Sequence, residues 1–165
     1  AIATTYLEAD AASVTFSSIP ATYEHLQVRM SVLDSVAGTG YYYIRLNGDT
    51  AANYTNHRMT GTSTTTGAAA NAGQTYNWSP YLPTIDEGAA NYGTWVIDIL
   101  DYANANKNTT IMWTSGSAAV PAIAFGSGLW DDTDAVDEIW LAADNGSARD
   151  WQRGSEFTLY GLNSS

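Results

Sequence analysis

The chain has 165 residues, 45% hydrophobic and only 14% charged, with six Lys+Arg against 17 Asp+Glu and a net charge of −11. That length suits one domain with a proper core, and that apolar content excludes wholesale disorder. Six scattered cations, no cysteine and no apolar run near the ~18 residues of a bilayer span argue against nucleic-acid binding, disulfides, thiolate metal sites and membrane insertion.

A short strand is predicted over residues 13–16. Leu26, Val28, Met30 and Val32 then alternate with Gln27, Arg29 and Ser31, the pattern of a half-buried strand. Tyr42, Ile44 and Leu46 repeat that pattern and run into the turn signal Asn47-Gly48-Asp49. Gly38 and Gly40 between the two runs predict a hairpin joining them.

Residues 51–91 break the alternation. The stretch 60–73 is rich in Thr, Ala and Gly and lacks large apolar groups, and Tyr76, Trp78, Pro80, Tyr81 and Pro83 follow it. It reads as a long loop, either a mobile surface excursion or a projecting arm whose aromatic–proline end anchors on a neighbouring subunit. Strands resume at 94–100, with Trp95, Ile97 and Ile99 on one face, and at 109–114. The run 120–125 contains Pro121 and reads as an edge strand or bulge. Further strands are expected at 136–142 and 156–162, and residues 102–107 make one helical turn at most. The fold expected is all-β: a single-domain, two-sheet antiparallel sandwich, jelly-roll-like, with both chain ends inside it.

Chemistry is sparse. Nucleophilic catalysis needs a base, and His25 and His57 both read as structural or surface residues. Gly-x-Ser-x-Gly, phosphate-binding glycine loops and His-Glu-x-x-His are absent. The acidic run 131–138 makes Asp131, Asp132 and Asp134 candidate Ca²⁺ ligands, although without EF-hand spacing a solvated turn is the first reading. Asp98 and Asp101 read as a polar-face residue and a turn residue. Five N-x-Ser/Thr sequons read as compositional bias. Tyr76, Trp78, Tyr81, Trp130 and Trp151 lie in or beside turn-rich stretches and are the candidate partner- or sugar-contacting residues.

Four stretches carry a likeness: Phe16-Ser17-Ser18-Ile19-Pro20 with Tyr23 and the strand after it; Leu46-Asn47-Gly48-Asp49 with Asn53-Tyr54 and His57; Ile97-Asp98-Ile99-Leu100-Asp101-Tyr102-Ala103-Asn104-Ala105-Asn106-Lys107; and Phe157-Thr158-Leu159-Tyr160-Gly161-Leu162. Together they resemble the structural proteins of tailed bacteriophage particles, a group that includes capsid decoration (cement) proteins, head fibres and small tail proteins. The resemblance implies a virion protein without enzymatic activity or cofactor, made in the host cytoplasm, first of all a decoration protein that stabilises the assembled head. Its implied partners are the major capsid protein or another virion protein, and further copies of itself, for example in a trimer. The alternatives are a tail-fibre receptor- or glycan-binding module and a carbohydrate-binding module of a polysaccharide-acting system.

Overall fold

Apolar–polar alternation becomes strand after strand in the computed structural model, which describes residues 1–36, 40–82, 90–117, 121–143 and 149–163. Among these residues there is no helix. The first half contributes β1 (Ala3–Tyr6), β2 (Ser13–Phe16), β3 (His25–Val32), β4 (Gly40–Leu46), β5 (Tyr54–Thr62) and β6 (Thr66–Gln74). The second contributes β7 (Asn77–Leu82), β8 (Gly93–Leu100), β9 (Thr109–Ser117), β10 (Ala122–Trp130), β11 (Ile139–Ala142) and β12 (Glu156–Leu162).

They form an antiparallel β-sandwich, jelly-roll-like. The eight-stranded sheet runs β1-β12-β3-β8-β9-β10-β5-β6 and the four-stranded sheet β2-β11-β4-β7. Leu26, Val28, Met30, Trp95, Ile97, Ile99, Ile111, Trp113, Phe157 and Leu159 point inward from the large sheet. Val14, Phe16, Tyr42, Ile44, Leu46, Ile139 and Leu141 meet them from the small one in one buried cluster. Tyr42 stacks on Trp95 and Trp151, with ring centroids 4.8 and 5.9 Å apart.

Three expectations are corrected. β3 and β4 do not form a hairpin: β3 pairs with β12 and β8, and β4 with β11 and β7. Val32, Leu33 and Asp34 are all buried in succession, so alternation stops where the chain passes between sheets. Residues 51–91 are not a long loop, because β5, β6 and β7 occupy most of them; residues 83–89 lie outside the described residues. β6 has no side chain that needs a core, and its pairing with β5 holds it. The expected edge strand at 120–125 is instead β10, a central strand between β9 and β5, with Pro121 just ahead of it.

β10 continues across Gly126 and Gly128 because the inner face there is crowded. A Cβ at Gly128 would lie 1.6 Å from the Asn77 amide nitrogen, and one at Gly126 would lie 2.6 Å from the Trp113 indole. Asn77 donates to the Thr55 carbonyl (3.0 Å) and accepts from Trp113 Nε1 (3.2 Å), and Ser79 and Ser115 share a 2.7 Å hydrogen bond. β7 is thus fastened to the large sheet by buried polar groups that satisfy one another.

Three of the four resembling stretches, those at 16–23, 97–107 and 157–162, meet at one corner. Tyr102 Oη donates to the Pro20 carbonyl and accepts from Tyr23 N–H (3.4 Å), while the Tyr23 ring fills the space over Gly161. Ile19 N–H reaches the Asp137 carbonyl and Glu24 N–H the Leu162 carbonyl, both at 3.0 Å. Asp101, at φ 55°, donates its N–H to His25 Nδ1 (3.0 Å) and pairs with Lys107 (2.5 Å). His25 thus closes the turn that follows β8.

Candidate functional site

Among the described residues nothing covers the outer face of the eight-stranded sheet, and toward β6 it carries apolar side chains where alternation would place polar ones. Phe125 stands between Met59 on β5 and Thr114 on β9, Ser127 between His57 and Met112, and Leu129 between Thr55 and Thr110. Met59, Met112, Ile123 and Phe125 are 53, 51, 55 and 51% exposed. Most surface apolar residues are scattered singly, so four on adjoining strands form a patch.

This part of the face is concave. One cavity of about 580 Å³ is lined by residues from all four strands, including Met112 on β9 and Ala68 and Ala70 on β6. A second of about 540 Å³ adjoins it along the same strands, sharing His57, Ala70 and Ser127 and adding Thr55, Asn71, Thr110 and Leu129. The two make a trough running along β5 and β10, with the alanines of β6 as one wall. From Met59 to Thr55 it extends about 13 Å at strand rise. No carboxylate lines either cavity among the described residues. Asp98, directly across from Met112, is engaged by Gln27 Nε2 (2.7 Å).

The outer face of the small sheet carries a different surface, a ladder of half-buried rings. Tyr41 meets Trp78 edge-on at 5.4 Å, and Tyr43 meets Tyr76 edge-on at 4.6 Å. Arg58 sits over the Trp78 ring at 3.9 Å and Arg45 over Trp140 at 4.6 Å. Each of these indoles already has a guanidinium on one face, and Arg58 is further tied to Asn71 (2.6 Å) and Asn56 (3.3 Å).

The candidate aromatics therefore separate. Tyr76 and Trp78 belong to this ladder, and the side chain of Tyr81 lies outside the described residues. Trp130 and Trp151 are corrected to core residues, 1 and 0% exposed, so neither can touch a partner or a sugar. Their N–H groups are used inside: Trp130 Nε1 donates to Asp49 (2.7 Å) and Trp151 Nε1 to the Leu141 carbonyl (3.3 Å). Asp49 also accepts from Ala51 N–H (2.7 Å) and Asn53 (2.9 Å). Partial burial works against its charge, but these bonds, together with Arg45, hold its carboxyl below the usual range.

In the acidic run, Asp132 accepts from Asp134 N–H (2.9 Å) and Asp131 accepts from Asn108. Asn47 Oδ1 takes the N–H groups of Asp137 (2.9 Å) and Glu138 (3.2 Å). Among the described residues no group of three or more acidic or histidine side chains is gathered as a metal would require. The sequence reading overlooked Met59, Met112, Phe125 and Ser127. The signal available was Met112 between Ile111 and Trp113, and Phe125 after Ala124: large apolar residues on the wrong parity.

No family model matches the chain, and no curated protein is similar to it in sequence. Among solved structures, a toad ovary galectin complexed with thio-digalactose aligns over 79% of this chain and 98% of its own, with 8% identity and a TM-score of 0.27. A Bacteroides ovatus mixed-linkage-glucan GH16 protein aligns over 84% and 69%, with 10% identity and a TM-score of 0.21. A Mycobacterium fortuitum glycosyl hydrolase family protein aligns over 79% and 67%, with 11% identity and a TM-score of 0.15. At such TM-scores the sandwich rests on this chain's own strand pairing, and its function on its own surface.

Proposed function

We propose that this chain is a non-catalytic binding module of a phage particle, and that it seats a bacterial surface glycan in the trough between β6 and β9. The trough itself is the observation that carries the reading. A pyranose offers apolar C–H faces and a rim of hydroxyls. The trough offers Met59, Met112 and Phe125 to the former, and His57, Ser127, Thr110 and Thr55 to the latter. Concave sites of several hundred Å³, mostly apolar with a few convergent polar groups, are the usual form of a small-ligand site. Glycosidic cleavage by the common route requires two carboxyl groups flanking the bond, and the trough's described lining supplies none. The placement on a particle rests on the resemblance of the four stretches.

Capsid decoration is the second reading, favoured by one observation: the exposed patch of Met59, Met112, Ile123 and Phe125 also suits a protein surface. Binding of the labelled chain to a panel of bacterial surface polysaccharides separates the two. Glycan binding weakened about tenfold by Phe125→Ala, roughly 1.4 kcal/mol, is the expected result. A panel without a binder, together with saturable uptake of the chain by mature phage heads, overturns the glycan reading in favour of decoration.

A further inference from the structure

The two sheets have four edges, and three of them are blunted. β1 and β2 are four residues each, with Glu8 and Asp10 following β1. β7 carries Pro80 and pairs with β4 through a register shift. β6 is nine residues long and carries no charge and no proline. Its Thr66–Asn71 portion is regular, and the bulge comes after it, near Gly73 at φ 62°. Long unprotected edges invite another strand, and proteins that must stay single block them with charge, proline, bulges or brevity.

Charge distribution indicates which strand comes. No Asp or Glu occurs between residues 50 and 85 or between residues 102 and 130, the stretches that supply β5, β6, β7, β9 and β10. All 17 carboxylates lie elsewhere in the chain. Asp49 and Asp131 lie past the Tyr54 and Trp130 ends of β5 and β10, the opposite end of the hairpin from Thr66. Two copies of a chain with net charge −11 repel each other over most orientations. Contact through β6 is the orientation that brings acid-free strands together.

We propose that two copies of this chain pair antiparallel through the free edge of β6, extending the eight-stranded sheet across a two-fold axis. The contact is self-complementary, as a two-fold requires, and Gly67, Ala68, Ala69 and Ala70 give it side chains small enough to meet their own counterparts without a clash. Backbone groups make the junction, so the Ala68 and Ala70 side chains keep lining the trough. The two troughs then lie on the same side of one continuous sheet, flanking the axis. The pairing does not depend on what the troughs bind.

Sedimentation of the full chain tests it, with twice the 17.7 kDa chain mass expected at micromolar concentration. The paired substitutions Ala68→Glu and Ala70→Glu set carboxylates opposite one another and should return the chain to a folded monomer, its strand content by circular dichroism unchanged. Because the chain has no cysteine, single Cys substitutions at Ala68, Ala69 or Ala70 give an independent readout. At least one should crosslink copies on oxidation, whereas Ala3→Cys on the β1 edge should not. A monomer at all accessible concentrations, a trimer, or crosslinking from Ala3 but not from β6 overturns the proposal.

Discussion

Tyr102, Tyr23 and Gly161 tie three stretches far apart in the sequence into one corner of the fold. Each belongs to a different one of the resembling stretches, and they meet at one corner where a ring lies against a backbone. A Cβ at Gly161 would lie 2.2 Å from the Tyr23 ring, so Gly161→Ala should destabilise the fold by about 1–3 kcal/mol, as overpacking does, lowering the urea midpoint. Asp49 plays a comparable part beside Trp130. Its carboxyl titrates lower in the folded chain than in the unfolded one, so its stabilisation is complete above the ordinary carboxylate pKa and fades as pH falls through the folded value. Urea midpoints measured from neutral pH down to about 3 should show an acid limb that is shallower in Asp49→Asn. An identical limb in the variant would show that other carboxylates carry it. Trp130 and Trp151 look available in the sequence because turn residues flank them. Packing in the core cluster buries both rings, and Asp49 and the Leu141 carbonyl, remote in sequence, satisfy their N–H groups.

At the scale of elements, legibility follows how strongly a strand's side chains record its surroundings. β3, β8 and β9 each bury one face, and alternation gives them away. β6 buries neither face, so its Thr, Ala, Gly and Asn leave no imprint, and low intrinsic strand preference made the region look like a loop. The hairpin expected between β3 and β4 failed for another reason. Glycines between two alternating runs are compatible with pairing or with a crossing, and only the partners of β3, namely β12 and β8, decide between them. The tie between β7 and the large sheet is the element most exposed to a single change. Gly128→Ala forces a methyl into the Asn77 carboxamide, which bonds both Thr55 and Trp113. A loss of about 3 kcal/mol or more is expected, read by denaturant unfolding, with the Trp113 fluorescence environment altered in the folded state. Gly116→Ala, where a Cβ would meet only the Ala122 carbonyl at 3.5 Å, serves as the mild control.

Across the whole molecule, the sequence reveals the sandwich but conceals its working surface. The stretches that look like phage proteins build the corner and hold β12 beside β3. The trough comes mainly from β5, β6, β9 and β10, whose outward residues, His57 apart, lie outside those stretches. Charge divides the chain the same way, with acid-free strands under the trough and the carboxylates elsewhere. The most direct test is a backbone-amide NMR titration of the chain with an oligosaccharide from a binding surface polysaccharide. Saturable shifts concentrated in residues 55–59, 68–72 and 125–129 are the expected result. Shifts confined to the ladder around Tyr41, Trp78 and Trp140, or none at saturating ligand, would contradict it.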